Sequence, residues 1–399
     1  SMSNTLANGW YIVQSDLTLT SLTITGTDVK IIIANDATFT VTNGITVPAN
    51  GSLYIYSQPV APMSGEEAGI FTSAHATNSA VTLGSNSKIT NTATIGSTGN
   101  YVINGSVNTI FVLNGITGTI DGGTQTAVRI EGNDSKVNNY GTINSDGTAD
   151  TQTGRGVHIA AGSGATVNNF ANMTTTEDSA WTFPAVYTGT ISGKSYGIQI
   201  AGSLATVNND GIISGTGYHG IQTSAAASGA VINNSGKIIG FGADYDGYGI
   251  EIYSSAVITN KGTGKIIGKN SGMIHRGSGT ITNEENGMII GGSSGIYNHS
   301  QNNIKIYNSG SIGGTYTDPD TSLSYNPSQG MTVYSDDVEI FNEETGIISG
   351  TSYGINVGTA TGGAIQYVGK ATIENSGEIK GTGGTGCGIR IGPGASTGS

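Results

Sequence analysis

Short alternations of apolar and polar residues recur along most of the chain. One type has the form Gly-apolar-x-apolar, as in GVHI (156–159) and GIEI (249–252). A second type ends in asparagine, as in VINN (231–234), and a third surrounds isoleucine with glycine, as in GKIIG (236–240). A period of two residues places successive side chains on opposite faces of a strand. The pattern therefore predicts three short strands in each repeat.

The repeats follow one another at a regular interval. An asparagine that precedes a Gly-containing turn marks each one, and most neighbours are about 23 to 26 residues apart, with insertions lengthening the others. The series is Asn91, Asn114, Asn139, Asn169, Asn209, Asn234, Asn260, Asn283, Asn308, Asn342 and Asn375. A single repeat cannot bury its Ile and Val residues, whereas stacked repeats bury them continuously. We predict an all-β chain, a single right-handed parallel β-helix with three strands per coil and about 13–14 coils.

The recurring asparagine and glycine are predicted to form a corner of each coil. Asparagine tolerates left-handed backbone conformations, and its amide can form a ladder with the asparagine of the neighbouring coils. The glycine two residues later is expected to allow a sharp bend.

The pattern changes along the chain, and this change predicts its organisation. Alternation is stronger and glycine rarer in residues 10–57, so residues 1–84 are interpreted as an N-terminal cap and first coils, with a loop at 58–80. Residues 85–399 are interpreted as regular coils. They carry insertions at 145–155, 174–195, 241–247, 315–329 and 358–370.

Composition narrows the classes of function. The chain has 65 Gly among 399 residues, only 11 % charged residues, and a net charge of -12. Binding to nucleic acid depends on Lys and Arg that neutralise phosphate, so no nucleic-acid partner is expected. No apolar run approaches the roughly 20 residues that cross a bilayer as a helix. Cys387 is the only cysteine, which excludes an internal disulfide.

The candidate binding residues come from the insertions and from one column of the coil. Four of the five insertions fall between the third strand of one coil and the first strand of the next, namely 145–155, 174–195, 241–247 and 315–329. We therefore expect them along one edge of the β-helix. They combine aromatic rings with carboxylates, a composition suited to sugars and to protein interfaces, although Asp is also common in ordinary turns. The corner column before the first strand adds further tyrosines and a histidine. The candidates are Trp181, Tyr187, Tyr196, His219, Asp244, Tyr245, Asp246, Tyr248, Tyr316, Asp318, Asp320 and Tyr325.

No catalytic or metal-binding constellation is predicted. The pairs Asp244/Asp246 and Asp318/Asp320 lie in turn-like segments, and no basic residue accompanies them on neighbouring outward columns. The five histidines lack metal-ligand spacing. We expect no enzyme activity, no catalytic residue and no cofactor, with Ca²⁺ at the Asp-rich loops as the alternative. A β-helical polysaccharide lyase, glycoside hydrolase or tailspike-type depolymerase is the alternative function.

The phrases NNSGKIIG, ITNKGTGKIIG and IYNSGSIGG alternate with YGIQI, YGIEI and YGINV. Over roughly residues 85–395 these repeated motifs resemble those of the passenger domains of bacterial autotransporters. The resemblance implies a cell-surface or extracellular adhesin, exported across the outer membrane of a Gram-negative bacterium. Its partners would be a host-surface glycan or protein, or a second copy of itself. Membrane contact would come only through a C-terminal barrel that is missing from this sequence. The chain departs from the family's protease subgroup because it has no GDSG-like serine motif.

Overall fold

The computed structural model describes residues 4–58, 67–147, 153–171, 187–242, 247–299, 303–362, 365–368, 370–392 and 396–398. Within these ranges the regular structure is strand, and no helix is long and apolar enough to cross a membrane. The chain divides into two compact units, Ser1–Ile212 and Ile213–Ser399.

Both units are right-handed parallel β-helices with three strands per coil, as the repeat predicts. Each coil contributes one strand to each of three parallel sheets. We call these sheets first, second and third in the order of their strands along a coil, starting with the Gly-apolar-x-apolar strand. The described strands of the three types number fifteen, fifteen and fourteen. The fold class is confirmed, with slightly more coils than the 13–14 expected.

In the first unit, each sheet takes every third strand. The first sheet contains Thr5–Leu6, Leu22–Ile24, Ile45–Val47, Val81–Leu83, Tyr101–Gly105, Thr126–Ile130, Arg155–Ile159 and Tyr196–Ile200. The second contains Gly9–Val13, Asp28–Ile33, Ser52–Ser57, Lys88–Asn91, Phe111–Asn114, Lys136–Asn139, Thr166–Asn169 and Thr206–Asn209. The third contains Leu17–Leu19, Thr38–Val41, Ile70–Ser73, Thr94–Ser97, Thr119–Asp121, Thr142–Asn144 and Thr190–Gly193. Ile212–Gly215 is a third-type strand at the boundary of the units.

The second unit repeats the same order. Its first sheet contains His219–Thr223, Ile250–Ile252, Ser271–His275, Ser294–Asn298, Gln329–Val333, Tyr353–Val357 and Cys387–Ile391. Its second contains Ala230–Asn234, Ala256–Asn260, Gly279–Asn283, Ile304–Asn308, Val338–Asn342, Lys370–Asn375 and Ser396–Gly398. Its third contains Lys237–Gly240, Lys265–Gly268, Met288–Gly291, Ser311–Gly313, Ile347–Gly350 and Glu378–Gly381. Two antiparallel hairpins interrupt it, Tyr316–Thr317 with Ser324–Tyr325 and Thr359–Gly362 with Ile365–Val368.

Inward side chains stack in register along each unit and form its core. In the third sheet of the second unit one column consists of Ile238, Ile266, Ile289, Ile312 and Ile348. All five are fully buried. Burial of an Ile side chain stabilises a fold by about 1.5–3 kcal/mol, so repetition of this column in every coil drives the stacking.

The corner asparagines form the predicted amide ladder. In the second unit the Nδ2 of Asn260 donates to the Oδ1 of Asn283 at 2.8 Å, and Asn283 donates to Asn308 at 2.8 Å. The same bond links Asn91 to Asn114 and Asn114 to Asn139 at 2.9 Å in the first unit. The ladder residues do not have positive φ, unlike Asn86, so the left-handed part of the expectation is wrong. Asparagine is required at this position because its amide bonds to the neighbouring coils, and not because it tolerates a left-handed backbone conformation.

The glycines beside this ladder are needed for close approach of neighbouring coils. Gly141 follows Asn139 by two residues and does not have positive φ. A Cβ at Gly141 would lie 2.3 Å from the carbonyl oxygen of Gly118 and 2.4 Å from that of Gly115. The expected bend is therefore not the reason for glycine at this position. The coils are too close for any side chain.

The segments set apart in the sequence contain more regular structure than expected. Within 58–80, Ile70–Ser73 forms a third-sheet strand that pairs with Thr38–Val41 and Thr94–Ser97. Within 358–370, the antiparallel hairpin Thr359–Gly362 with Ile365–Val368 extends from the coil.

Candidate functional site: a tyrosine-lined groove

A groove of about 350 Å³ opens on the outer face of the first sheet in the second unit. Tyr248, Tyr297 and Tyr334 contribute rings to its lining, together with Arg276 and His299. Ring faces and edges of this kind pack against the apolar faces of sugars, while hydroxyl and guanidinium groups can bond their hydroxyls. The lining is therefore suited to a small polar ligand with apolar faces.

The groove exists because two successive coils have small residues in the corner column. Ser271 pairs in register with Ser294, and Ser294 pairs with Gln329. The column continues from Gln329 to Tyr353, so larger side chains resume there. Ser271 and Ser294 are buried, and their hydroxyl oxygens lie 3.0 Å apart on the floor of the groove. Because serines stand at these two positions of the tyrosine column, the space that larger rings would fill is left open as the groove.

The central column of the first sheet supplies another part of the lining. In this column Glu251, Ile274, Tyr297 and Thr332 are successive register partners. Ile274 and Thr332 are buried beneath the groove. Tyr297 therefore stands between two shorter neighbours in this column.

The aromatic rings of the groove support one another. The ring of Tyr297 stacks on His299 at 5.8 Å and meets Tyr334 edge-on at 5.6 Å. Burial raises the pKa of Tyr297, with Tyr334 adding to the shift and Arg276 opposing it. Burial and Arg276 together lower the pKa of His299. At neutral pH the groove therefore presents neutral rings, with a phenol as hydrogen-bond donor.

A buried carboxylate anchors the cation of the groove. Glu251 is 2 % exposed and accepts hydrogen bonds from His219 Nε2 at 2.9 Å, Gln222 Nε2 at 2.8 Å and Arg276 Nε at 3.3 Å. Burial alone would raise the pKa of Glu251. The hydrogen bond and charge interaction with His219 and the bond from Gln222 outweigh this effect and lower the pKa to about 2. Glu251 is thus a fixed anion that holds Arg276 and compensates its charge.

The arrangement does not resemble a hydrolytic centre. A glycoside hydrolase needs two carboxyl groups on either side of the scissile bond, one of them protonated near neutral pH. The residues that line the groove include no Asp or Glu in the described part of the chain. The nearby carboxylate, Glu251, has too low a pKa to give a proton at neutral pH.

The corner-column candidates lie close to this groove or on the same sheet. The His219 ring stacks on Tyr248 at 5.0 Å, and both side chains are buried. Tyr248 is one of the groove residues, whereas His219 acts beneath it through Glu251. Tyr196 is a half-buried residue of the first sheet in the first unit. The half-buried Tyr187 lies between the second-sheet strand Thr166–Asn169 and the third-sheet strand Thr190–Gly193, so its expected position between a third and a first strand is wrong. Trp181, Asp244, Tyr245 and Asp246 lie outside the described residues.

The insertion at 315–329 folds back onto the outer face of the third sheet. Tyr325 packs with Ile239, Ile267 and Ile290, and Tyr316 lies against the same cluster. Asp318 and Tyr325 are buried, and burial raises the pKa of Tyr325 to about 12, with Asp318 and Tyr316 adding to the shift. An external ligand would have to displace the hairpin to reach them. Asp320 is the exposed member of the candidate set in this segment.

A lysine occupies the position between the two carboxylates of this insertion. The Nζ of Lys237 lies 2.6 Å from Asp318 and 2.7 Å from Asp320. A calcium ion bound by this pair would have to replace that ammonium group. Among the residues that the structure describes, no group of three His, Cys, Asp or Glu side chains is arranged to hold a metal ion.

Tyr297, Tyr334 and Arg276 of the groove are not among the binding residues that the sequence predicts. A signal was present, since Ser271 and Ser294 interrupt the aromatic residues of the corner column. Another signal predicts the docked hairpin: the third strands around 238–239, 266–267 and 289–290 have two successive Ile residues, so one of each pair faces outward and needs a cover.

No protein-family model and no curated protein sequence matches this chain. The fold defines the class, a parallel β-solenoid of three-strand coils.

Proposed function

We propose that this protein is a surface-exposed, autotransporter-like β-helix that binds glycans without modifying them. The observation that carries the proposal is the groove of about 350 Å³ lined by Tyr248, Tyr297 and Tyr334. Rings that pack on sugar faces, with an Arg276 whose charge Glu251 already compensates, favour a neutral sugar over a strongly acidic one. The absence of carboxylates from the described lining favours binding over hydrolysis.

Glycan-array binding with purified protein tests this proposal. We expect Tyr297→Ala to weaken binding about tenfold, the equivalent of about 1.4 kcal/mol. Tyr307→Ala is the matched control, because Tyr307 is a stacked tyrosine of the same unit but belongs to the second sheet. Equal binding by the Tyr297 variant and the wild-type protein, or an array without any bound glycan, would exclude the groove as a sugar site. Release of reducing sugar from a bound glycan would instead favour the enzyme alternative.

Exposure at the cell surface is the second part of the proposal. It rests on the resemblance of the repeat phrases to autotransporter passengers and on a stack of coils that needs no disulfide, since the chain has one cysteine. Protease treatment of intact Gram-negative cells that express the native gene tests it. We expect the β-helix to be removed without lysis. Protection of the protein until the cells are broken would contradict this location.

Self-association is a second candidate function, favoured by one observation. Trp10 and Ile12 are 61 % and 58 % exposed on the outer face of the second sheet in the first unit. Apolar surface of this kind is more common at contacts than on an isolated surface. We expect a concentration-dependent dimer in sedimentation that Trp10→Ser with Ile12→Ser abolishes. Val257→Ser, which changes a single exposed apolar residue on the second sheet of the other unit, is the control.

A further inference from the structure

A group of basic side chains in the first unit has no role in the groove. Arg129 and His158 are register partners in the central column of the first sheet, and Arg155 lies three residues before His158 on the same strand. Tyr196 pairs in register with Arg155. These residues belong to the other unit and are separate from the residues that line the groove.

Arg155 is a buried cation with an unused donor. Its side chain is almost fully buried, and its Nη1 lies 2.8 Å from Nδ1 of His158. Its Nε has no hydrogen-bond partner. Burial lowers the pKa of Arg155, but a guanidinium stays charged at neutral pH. A buried charge of this kind is normally paired, because leaving it uncompensated costs stability.

The charge of Arg155 is not compensated by a carboxylate in the described part of the chain. Glu131 forms its ion pair with Arg129, and the groups that act electrostatically on Arg155 are Tyr196, Tyr101 and Arg129. The contrast with the second unit is direct, because there Glu251 is hydrogen-bonded to Arg276. Glu131 thus neutralises Arg129, whereas the positive charge of Arg155 is left uncompensated.

His158 adds a second donor to this cluster. Burial and the two neighbouring arginines lower the pKa of His158 to about 3, so its ring is neutral at physiological pH. Because Nδ1 accepts the hydrogen bond from Arg155, the ring proton belongs on Nε2. Arg129 and His158 are only partly buried, so this side of the cluster can be reached from solvent.

We propose that Arg129, Arg155 and His158 form a binding site for the carboxylate of an acidic sugar. Arg129 and the Nε2–H of His158 are the donors that a carboxylate oxygen can reach from solvent, and the anion would neutralise the excess charge of the buried Arg155. The guanidinium of Arg129 lies 5.1 Å from the centre of the Tyr101 ring, and Tyr196 lies beside Arg155. These two half-buried rings give the site apolar surface for a sugar ring, which a bare anion would not use.

Calorimetry and thermal unfolding with a glucuronate disaccharide test the site. Cellobiose is the neutral counterpart, and acetate and sulfate are the anions without a sugar ring. We expect saturable binding of the glucuronate disaccharide and a rise in the unfolding midpoint. Cellobiose should not bind at this site, and the simple anions should bind at least tenfold more weakly. Absence of glucuronate binding would overturn the proposal, and equal binding of acetate would overturn its sugar part.

Variants assign the binding to these residues. Arg155→Met should reduce glucuronate affinity at least tenfold and, without ligand, should be as stable as the wild-type protein or more so, since it removes an uncompensated charge. Arg155→Lys should retain part of the affinity. Arg390→Met is the matched control, because Arg390 lies on the first sheet over the Tyr353 ring but belongs to neither site, and it should bind glucuronate as the wild-type protein does. Unchanged affinity in Arg155→Met would overturn the proposal. A lower midpoint for ligand-free Arg155→Met would also contradict it, because Arg155 would then be a structural residue.

Discussion

The side-chain amide of Asn283 donates to the Oδ1 of Asn308 at 2.8 Å, while its own Oδ1 accepts from Asn260 at 2.8 Å. Asn283 is fully buried, so both bonds are formed away from water. We expect Asn283→Ala to lower the free energy of unfolding by about 3 kcal/mol, because it removes two buried hydrogen bonds between coils and takes the donor away from the Oδ1 of Asn308. Urea unfolding measures the change. Thr282→Ala, at the outward-facing neighbour, should cost less than about 1 kcal/mol, and a similar cost for both would contradict a structural role of the ladder.

The corner glycines give a second prediction about the spacing of coils. Gly141→Ala would place a Cβ 2.3 Å from a backbone oxygen that cannot move without shifting a strand. We expect a loss of at least about 2 kcal/mol in stability, as for other overpacked sites. Gly384→Ala provides the comparison, because a Cβ there meets no atom within 4 Å and φ is not positive. If thermal unfolding shows the two variants to be equally stable, the close approach of coils at Gly141 is not limiting.

The docked hairpin at 316–325 depends on a partly buried ion pair. Lys237→Met removes the cation that faces Asp318, a side chain with 1 % exposure. We expect a loss of about 3 kcal/mol, since a buried carboxylate is left without its partner. Asp320→Asn changes an exposed partner of the same lysine and should cost less than about 1 kcal/mol.

A double variant separates the charge effect from packing. Lys237→Met with Asp318→Leu replaces both charges by apolar groups and should recover most of the stability lost in the single variant. Limited proteolysis near Leu323 provides a local readout of the hairpin. Additive losses in the double variant would show that the pair does not act as a unit.

Two neutral histidines predict how stability depends on pH. The pKa of His158 is lowered to about 3 and that of His275 to about 4, chiefly by burial, whereas an unfolded histidine titrates near 6.5. Below pH 6.5 the unfolded chain binds these protons and the folded chain does not, so stability falls as the pH decreases towards 4. Glu251, with a pKa of about 2, keeps its stabilising charge throughout this range.

Replacement of the buried His275 measures how much this residue contributes to the pH dependence of stability. His275 is fully buried in the inward column, where burial outweighs the effect of the Gly277 backbone and keeps the ring neutral. We expect His275→Leu to be more stable than the wild-type protein at pH 7.5 and to lose less stability between pH 7.5 and 5. Urea midpoints at the two pH values measure both effects. An unchanged pH slope would show that His275 does not contribute to it.

The sequence predicts the coil well because its physical causes are local. Period-two alternation, the spacing of the corner asparagines and the need to bury Ile and Val all recur in each coil, so every repeat supports the same fold. The register of the first sheet repeats in the same way from coil to coil, as the succession of Glu251, Ile274 and Tyr297 shows.

The site was harder to predict because it depends on contacts between distant insertions and sheet faces. Tyr316 and Tyr325 were selected as exposed binding residues on composition, but outward Ile239, Ile267 and Ile290 offered apolar surface that the hairpin covers. The groove arises from the opposite effect, in which small Ser271 and Ser294 leave space between larger residues. Neither outcome can be read from one repeat alone.

The asparagine ladder also has a direction, because each amide donates towards the coil that follows it in sequence. The last described donor, Asn375, bonds the carbonyl of Gly377 in its own corner at 3.1 Å, as Asn139 and Asn234 do in theirs. A coil can therefore be gained or lost by duplication or deletion of one repeat without changing the bonding rule of its neighbours. The number of coils is thus independent of the bonding rule, and the surface of one coil can differ from that of the next while the scaffold stays the same.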